Sequence, residues 1–534
     1  MAGHSADNQK SSDSNSSKQA VSIIWFKRDL RVTDHLPLTL AAAQGNCLPL
    51  FIIEPNFWSQ PDADRCHYDF MAESLRELDD SLKQLGGRLI IRIGEAVDVF
   101  RQLAQQFRIN QVYSHEETGN GWTFTRDKAV AKFLRSSNIP WQEERQCGVI
   151  RRLQSRNGWA ARWTNFMRRP IALTPGRIQV PQGIESQPIP KPESLGLGAT
   201  PIGPLQIGGE STGLATLESF LEIRGADYRR AMSSPLSAED ACSRMSPYFA
   251  WGCVSLRTTW QRLQQRRDEV RSLREAKADI DPRWLGSLAS YQSRLSWHCH
   301  FMQKLEDEPS LEFRNLNRAY DGLREDAFNE EFFAAWCDGR TGFPLVDACM
   351  RALQQTRWIN FRMRAMLMSF SSYDLWLHWR QPALHLARMF LDYEPGIHYP
   401  QSQMQSGVTG INTIRIYSPT KQAQDQDPQG EFIRRFIPEL AGCPTAFVHE
   451  PWLMSRDDQK RFGCWLGKDY PKPLVDHQAA AKSAQQRIYA IRRSTAAVTE
   501  AATVLKKHGS RKRRDPSPKP RHQQQNLLPG FEAE

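Results

Sequence analysis

Residues 294–301 read RLSWHCHF: one arginine, one tryptophan, two histidines and one cysteine within eight positions. So much stacking surface beside so many ionisable groups suits the floor of a binding pocket. A helix with one buried face and one wet face would carry the same residues. Two further stretches concentrate chemistry. In CSRMSPYFAWG (242–252), two serine hydroxyls and an arginine surround a Ser-Pro that can start a helix. A helix N-terminus offers free N–H groups and the positive end of a dipole, which suits a pyrophosphate; an ordinary Ser-Pro N-cap gives the same pattern. Arg362 and Arg364 follow Trp358 on one predicted helix, and Asp392 and Glu394 lie beyond Trp379 in LDYEPG.

These residues need a scaffold, and its pattern changes along the chain. SIIWFK (22–27), LPLFII (48–53), RLIIRIG (88–94) and QVYSHE (111–116) are short apolar runs that read as strands. HYDFMAESLRELDDSLKQL (67–85) has helical spacing and is stopped by Gly86-Gly87. Strands alternating with helices predict a doubly wound parallel sheet over 21–150. No G-x-G-x-x-G follows the first strand, so the ordinary dinucleotide fingerprint is missing. Residues 151–215 are rich in Pro and Gly and read as a connector wrapped on the surface. A helical domain follows over 216–485, with a tail (486–534) passing from helix to disorder. It holds Trp251, Trp260, Trp284, Trp297, Trp336, Trp358, Trp376 and Trp379. Core packing explains any single one of these; together they can also hold a flat aromatic ligand.

Composition narrows the class. The 534 residues are 40% hydrophobic, enough for two or three cored domains, and no run is long enough to span a membrane. The start, residues 1–20, lacks the apolar segment of a secretory signal and reads as a disordered arm. Ten scattered cysteines without a C-x-x-C pair argue against disulfide scaffolds and zinc ribbons, and no metal is expected. The net charge of +11 points to an anionic partner. However, residues 506–521 hold eight Lys/Arg against one Asp, so the rest of the chain carries only about +4. Such a tail can hold nucleic acid through its phosphates, serve as a nuclear address, or only confer solubility.

Four stretches in order, WFKRDLRVTDH (25–35), YRRAMSSPLSAEDACSRMSPYFAWGCVSLR (228–257), CDGRTGFPLVDACMRALQQTRWINFRMRAM (337–366) and GEFIRRFIPEL (430–440), resemble the cryptochrome/photolyase family from about Val21 to about Gln485. The resemblance implies an α/β domain, an all-α FAD-binding domain and bound FAD. It implies flavin-phosphate contacts from Ser243, Arg244, Met245 and Ser246, with Cys242 where many members have Thr, and with Tyr228 and Tyr291 nearby. Arg364 and Asp392 would be the ion pair against the isoalloxazine, beside Tyr393, Glu394 and His398. RLSWHCHF aligns with the wall on which a flipped DNA lesion stacks, with Trp297 as its platform and with Arg294, His298, Phe361 and Arg362 around it. Arg362 and Gln422 would reach the DNA. Trp379 matches the middle member of the family's electron-transfer chain, and Tyr399 falls near the inner position.

The implied activity is that of a carbon–carbon lyase of the deoxyribodipyrimidine photo-lyase type. Reduced FAD gives an electron to a UV pyrimidine lesion under blue light and recovers it afterwards. The alternative is a blue-light receptor that signals through a partner protein. A folate- or deazaflavin-type antenna is compatible with either. A monomer is expected, in the cytoplasm of a bacterium or in the nucleus or an organelle of a nucleated cell. Several positions depart from the family pattern. Arg294 stands where dimer-repair enzymes usually have Glu, and Phe361 where they have Asn. His398 or Tyr399 falls nearest the residue facing flavin N5. The inner and outer tryptophans have no match, so a tyrosine, Trp336 or Trp376 would substitute. Some members carry an iron–sulfur cluster, but the cysteine spacing here supports none.

Overall fold

The run CLPLFII is buried at every position and forms the second strand of a five-stranded sheet. The computed structural model describes residues 18–199, 203 and 205–509. Strands β1 (Ala20–Phe26), β2 (Cys47–Ile53), β3 (Ile90–Ile93), β4 (Arg108–His115) and β5 (Trp141–Glu144) run parallel in the order β3-β2-β1-β4-β5. A parallel sheet is covered on both faces, which is why its inner strands are near-continuous apolar runs. Edge strand β5, WQEE, is only half-buried and carries no such run, so the sequence reading missed it.

Helices α1 (Leu36–Ala42), α2 (Arg65–Gln84), α3 (Ala96–Gln106) and α4 (Gly121–Ser136) connect the strands. Past α2, Gly86 takes a positive φ of 86°, and a Cβ on Gly87 would lie 2.2 Å from Ile178. The expected stop is therefore conformational at one glycine and steric at the other. The strand order reverses between β1 and β4, where the loop after β1 carries Asp29. Its Oδ2 accepts hydrogen bonds from His35 Nε2 (2.9 Å) and His115 Nδ1 (2.8 Å). Among the described residues these three are the group whose ligand atoms could surround a metal ion. However, His35 Nδ1 already accepts the Leu38 N–H at 3.1 Å, so Nε2 carries the proton that Asp29 receives. Burial holds His115 down at about 3, and the triad ties β1, β4 and α1 together.

The connector does wrap the α/β domain: Ile178 N–H donates to Leu85 O (2.7 Å) and Gln187 N–H to Ile91 O (3.1 Å). It is not featureless, because Trp159, Trp163 and Phe166 at helical spacing form α5 (Trp159–Met167) and enter the core. The next helix, α6 (Glu210–Glu222), begins ahead of the expected boundary at 216. The helices that build the site follow: α7 (Leu256–Glu275), α8 (Trp284–Asp307), α9 (Pro344–Thr356), α10 (Phe361–Ser369), α11 (Arg380–Met389) and α12 (Pro395–Gln405). One core runs without a break from Ile24 and Phe51 of the sheet to Tyr248, Trp260 and Leu295, so the two domains fold against each other.

Regular structure extends past 486. α13 (His477–Arg492) and α14 (Thr495–His508) close the described chain, and buried His508 pairs with Glu308 at 2.8 Å. The predicted arm lies outside the described residues except at its last three positions, where Ala20 already opens β1. The basic run from 510 onward also lies outside them. No described helix is long and apolar enough to cross a membrane.

Candidate functional site

Helix α8 answers the question raised by RLSWHCHF. Tyr291, Arg294, Leu295, Trp297, His298 and Phe301 follow the helical period and line one cavity. Cys299 and His300 turn the other way: Cys299 is fully buried, and His300 packs edge-on to Trp159 of the connector. One helix therefore supplies both a pocket wall and an interdomain face. Trp297 is held by the His300 ring (4.9 Å) and the Phe301 ring (5.6 Å). Arg294 lies on the cavity wall, with Nη2 3.6 Å from Met232 Sδ. Glu306 and Asp307 are no partners for it: they lie about 18 Å further along the helix at 1.5 Å per residue, engaged by Thr118 and Arg156.

The 242–246 loop forms the neighbouring wall. Cys242, Ser243, Arg244 and Ser246 line the cavity, together with Tyr228 and Tyr291. Arg244 adopts a positive φ of 59°, and its guanidinium covers the Trp358 ring at 4.0 Å while Nε donates to Gln206 Oε1 (3.1 Å). This turn changes the expected cap. Met245, not a serine, occupies the N-cap of the short helix Ser246–Ala250, and no side chain caps it. Met245 is fully buried and lies off the cavity wall, so only its backbone can meet a ligand.

The opposite end is built by α10 and the α11–α12 corner. Arg364 makes a bidentate pair with Asp392, both contacts at 2.9 Å, and its Nε donates to Ile359 O (2.8 Å). Burial pushes the Asp392 carboxyl up, but the Arg364 charge and hydrogen bonds from Arg364 and Ser246 outweigh it and hold it below its ordinary range. His398 donates from Nε2 to Ala383 O (2.7 Å), and burial holds it at about 4, so it faces the cavity as a neutral ring.

Glu394 is pushed up to about 7 by burial, partly offset by Arg28 of the β1 loop, whose Nη1 lies 3.6 Å away. Below the ordinary value of 4.5 this carboxyl is protonated in both folded and unfolded chains. As pH rises to about 7 only the unfolded chain ionises, so the group costs stability across that window. Glu394→Gln should melt like the parent at pH 4, below the ordinary value of 4.5, and higher than the parent at pH 8. Equal melting temperatures at pH 8 would contradict the assignment.

The structure does not bring every expected residue to the cavity. Phe361, Arg364, Ala365 and Met368 form the cavity face of α10. Arg362 sits one residue round the helix and is buried with Nη1 3.4 Å from Gln422 Oε1. The pair thus forms a unit beside the cavity. Trp379 is fully buried, donates to Asn315 Oδ1 (2.8 Å) and meets the Tyr399 ring at 6.5 Å. Trp376, a candidate substitute, lies between the guanidiniums of Arg324 (4.5 Å) and Arg487 (4.8 Å), and two cations oppose removal of an electron from its ring. Trp336 packs against Phe333 and His385.

The sequence reading missed Asn360, Gln401 and Gln405. All three line the cavity, all are at least nine-tenths buried, and Asn360 Oδ1, Gln401 Oε1 and Gln405 Nε2 have no partner among the described residues. Orphaned buried amides take a ligand or ordered water to complete their hydrogen bonds. They fit the polar edge of a ring system, while the Ser243–Arg244 wall fits phosphates. Asn360 belongs to the 337–366 stretch that carries the family resemblance; nothing in the local sequence singles out the glutamines.

Two family models match the chain: "DNA photolyase" over residues 22–158 and "FAD binding domain of DNA photolyase" over 291–490. The cryptochrome DASH of Gloeobacter violaceus is 30% identical over 498 residues, covering 88% of this chain and 95% of that protein. The deoxyribodipyrimidine photo-lyase of Agrobacterium fabrum is 28% identical, covering 90% and 99%. The crystal structure of a bacterial class III photolyase from Agrobacterium tumefaciens superposes with a TM-score of 0.77 at 26% identity, covering 89% of this chain and 98% of that one.

Proposed function

Because the chain belongs to the cryptochrome/photolyase family and carries its FAD-binding domain, we propose that it repairs UV pyrimidine lesions in DNA, cyclobutane dimers foremost, under blue light. One observation carries this reading: the aromatic wall of Trp297 and Phe301 and the Arg364–Asp392 pair belong to the same cavity. Two linked pyrimidines of one strand, flipped out of a duplex and stacked on Trp297, would share that enclosure with the flavin. FAD, when bound, supplies the light-driven electron donor. The protein's part is to hold and to desolvate. The Ser243–Arg244 wall takes phosphates, Asn360, Gln401 and Gln405 complete polar edges, and Arg364 meets negative charge on the ring. Arg294 offers its guanidinium to a lesion carbonyl.

A receptor without repair activity is the second reading. It is favoured by Arg294 and Phe361, which stand where dimer-repair enzymes have Glu and Asn. Illumination of reduced protein with lesion-bearing single- and double-stranded DNA separates the two, since only the first predicts restored pyrimidines.

The stacking platform has its own test. Trp297→Ala should weaken binding of lesion-bearing DNA by about 1–3 kcal/mol, the usual contribution of base–aromatic stacking. Undamaged DNA, held by phosphate contacts, should bind almost unchanged. Titrations on matched oligonucleotides measure both, and equal losses on the two DNAs would favour the receptor.

A further inference from the structure

Asp62 lies in the loop before α2, in the α/β domain, and is 4% exposed. Three donors from distant parts of the chain converge on its Oδ2. Tyr393 Oη donates at 2.6 Å, Tyr399 Oη at 3.2 Å and Asn120 Nδ2 at 3.0 Å. The two phenolic oxygens are themselves 3.1 Å apart. Tyr393 lines the cavity, and Tyr399 lies between Tyr393 (6.3 Å, ring to ring) and Trp379 (6.5 Å). Burial and the nearby Asp62 hold both phenols well above the ordinary tyrosine range, so both enter any reaction protonated.

A buried phenol is hard to oxidise if its proton must stay, because the product is a charged radical in a medium of low polarity. Oxidation becomes accessible when the proton leaves with the electron along an existing hydrogen bond. The short Tyr393–Asp62 contact is such a bond, and it ends on a carboxylate oxygen.

We infer that Asp62 is the proton acceptor of a tyrosine electron-donor site, with Tyr393 and Tyr399 taking the place of the family's inner tryptophan. When an oxidant draws an electron from Tyr393, the phenolic proton passes to Asp62 Oδ2. A neutral tyrosyl radical and a protonated Asp62 remain. The 3.1 Å Oη–Oη contact lets Tyr399 share the radical. A thiolate from solution then supplies one electron and becomes a thiyl radical; Asp62 returns its proton, and phenol and carboxylate are restored. The inference rests on the flavin as physiological oxidant, but not on the DNA lesion.

The experiment therefore uses the flavin-loaded full chain without DNA. After a light pulse, electron paramagnetic resonance should detect a tyrosyl radical. Infrared difference spectra should show one carboxyl becoming protonated, and the rate of radical formation should slow in D₂O. In Asp62→Asn that rate should fall about 100-fold, the lower end of what a positioned base contributes. The carboxyl band and the solvent isotope effect should vanish, and Asp62→Glu should restore part of the rate. A merely structural Asp62 would alter melting and flavin content but leave band and isotope effect in place. Tyr393→Phe/Tyr399→Phe should abolish the radical signal. An unchanged isotope effect in Asp62→Asn, or a tyrosyl signal surviving in the double variant, would overturn the assignment. Absence of repair on lesion-bearing DNA, with these signatures intact, would instead count against the repair reading alone.

Discussion

Arg364→Ala should bind FAD about 100-fold more weakly than the parent protein. A charge-assisted contact from Arg364 to the ligand is worth about 1.5–3 kcal/mol, and a carboxylate left uncompensated beside that ligand opposes binding further. About 3 kcal/mol is about two decades in affinity at 1.4 kcal/mol per decade. The direction follows from the geometry: Asp392 is 4% exposed at its side chain, and without Arg364 it would point an unpaired carboxylate at a ring that becomes negative on reduction. Arg364→Lys should fall between the two, since an ammonium keeps the charge but loses the two-pronged fit to Asp392. Flavin released on denaturation and titration of the apoprotein with FAD measure the effect. Full occupancy in Arg364→Ala would remove the pair from the cofactor site.

The second large effect concerns the seam between the domains. Asp34, in the turn after β1, is 2% exposed and accepts from Ser255 Oγ (2.6 Å), Ala172 N–H (2.9 Å) and Arg257 Nε (3.1 Å), with a further contact from Arg257 Nη2. It joins the sheet domain, the connector and the start of α7 in one buried cluster. Asp34→Ala should cost about 3–5 kcal/mol by stranding Arg257. Asp34 also holds a positive φ of 54°, which an aspartate tolerates better than an alanine. Asp34→Asn, which keeps the shape, the tolerance of a positive φ and one accepting oxygen, should therefore be less damaging. Urea midpoints at neutral pH test the order parent, Asn, Ala; an Ala variant with the parent's midpoint would refute it.

The same cluster sets an acid limit. Burial raises the Asp34 carboxyl, but Arg257, Arg31 and Ser255 outweigh it and hold it below its ordinary value of 3.8. Its stabilisation is complete above that value and is lost as pH falls below it toward the depressed folded value.

Much of this site was legible because its parts are local. Arg364 and Asp392 were named as a pair from motif positions, and the bidentate contact joins them. Trp297, His298 and Arg294 were named from one eight-residue run, and a single helix carries all three to the cavity. Where the reading failed, rotation or a turn decided. Arg362 is adjacent in sequence to Phe361, but a helix turns about 100° per residue, which sends it to Gln422 rather than into the cavity. The serines of 242–246 looked like caps, but Arg244 enters the left-handed region and hands the cap position to Met245.

The sequence by itself determined the alternation of strand and helix, the parallel sheet, the helical second domain and the family. These properties are written in apolar periodicity and motif order, which depend on neighbours along the chain. Only the tertiary structure decided which side chains meet. Asp62 and Tyr393 are 331 residues apart, and no local pattern encodes their 2.6 Å contact. Gln401 and Gln405 became candidates only when burial was seen to leave their amides unpaired. Glu394 titrates near 7, and His398 stays neutral, because the folded chain removes water from them. Desolvation and partnership are set by everything packed around a group, so they exist only once the domains have closed on one another.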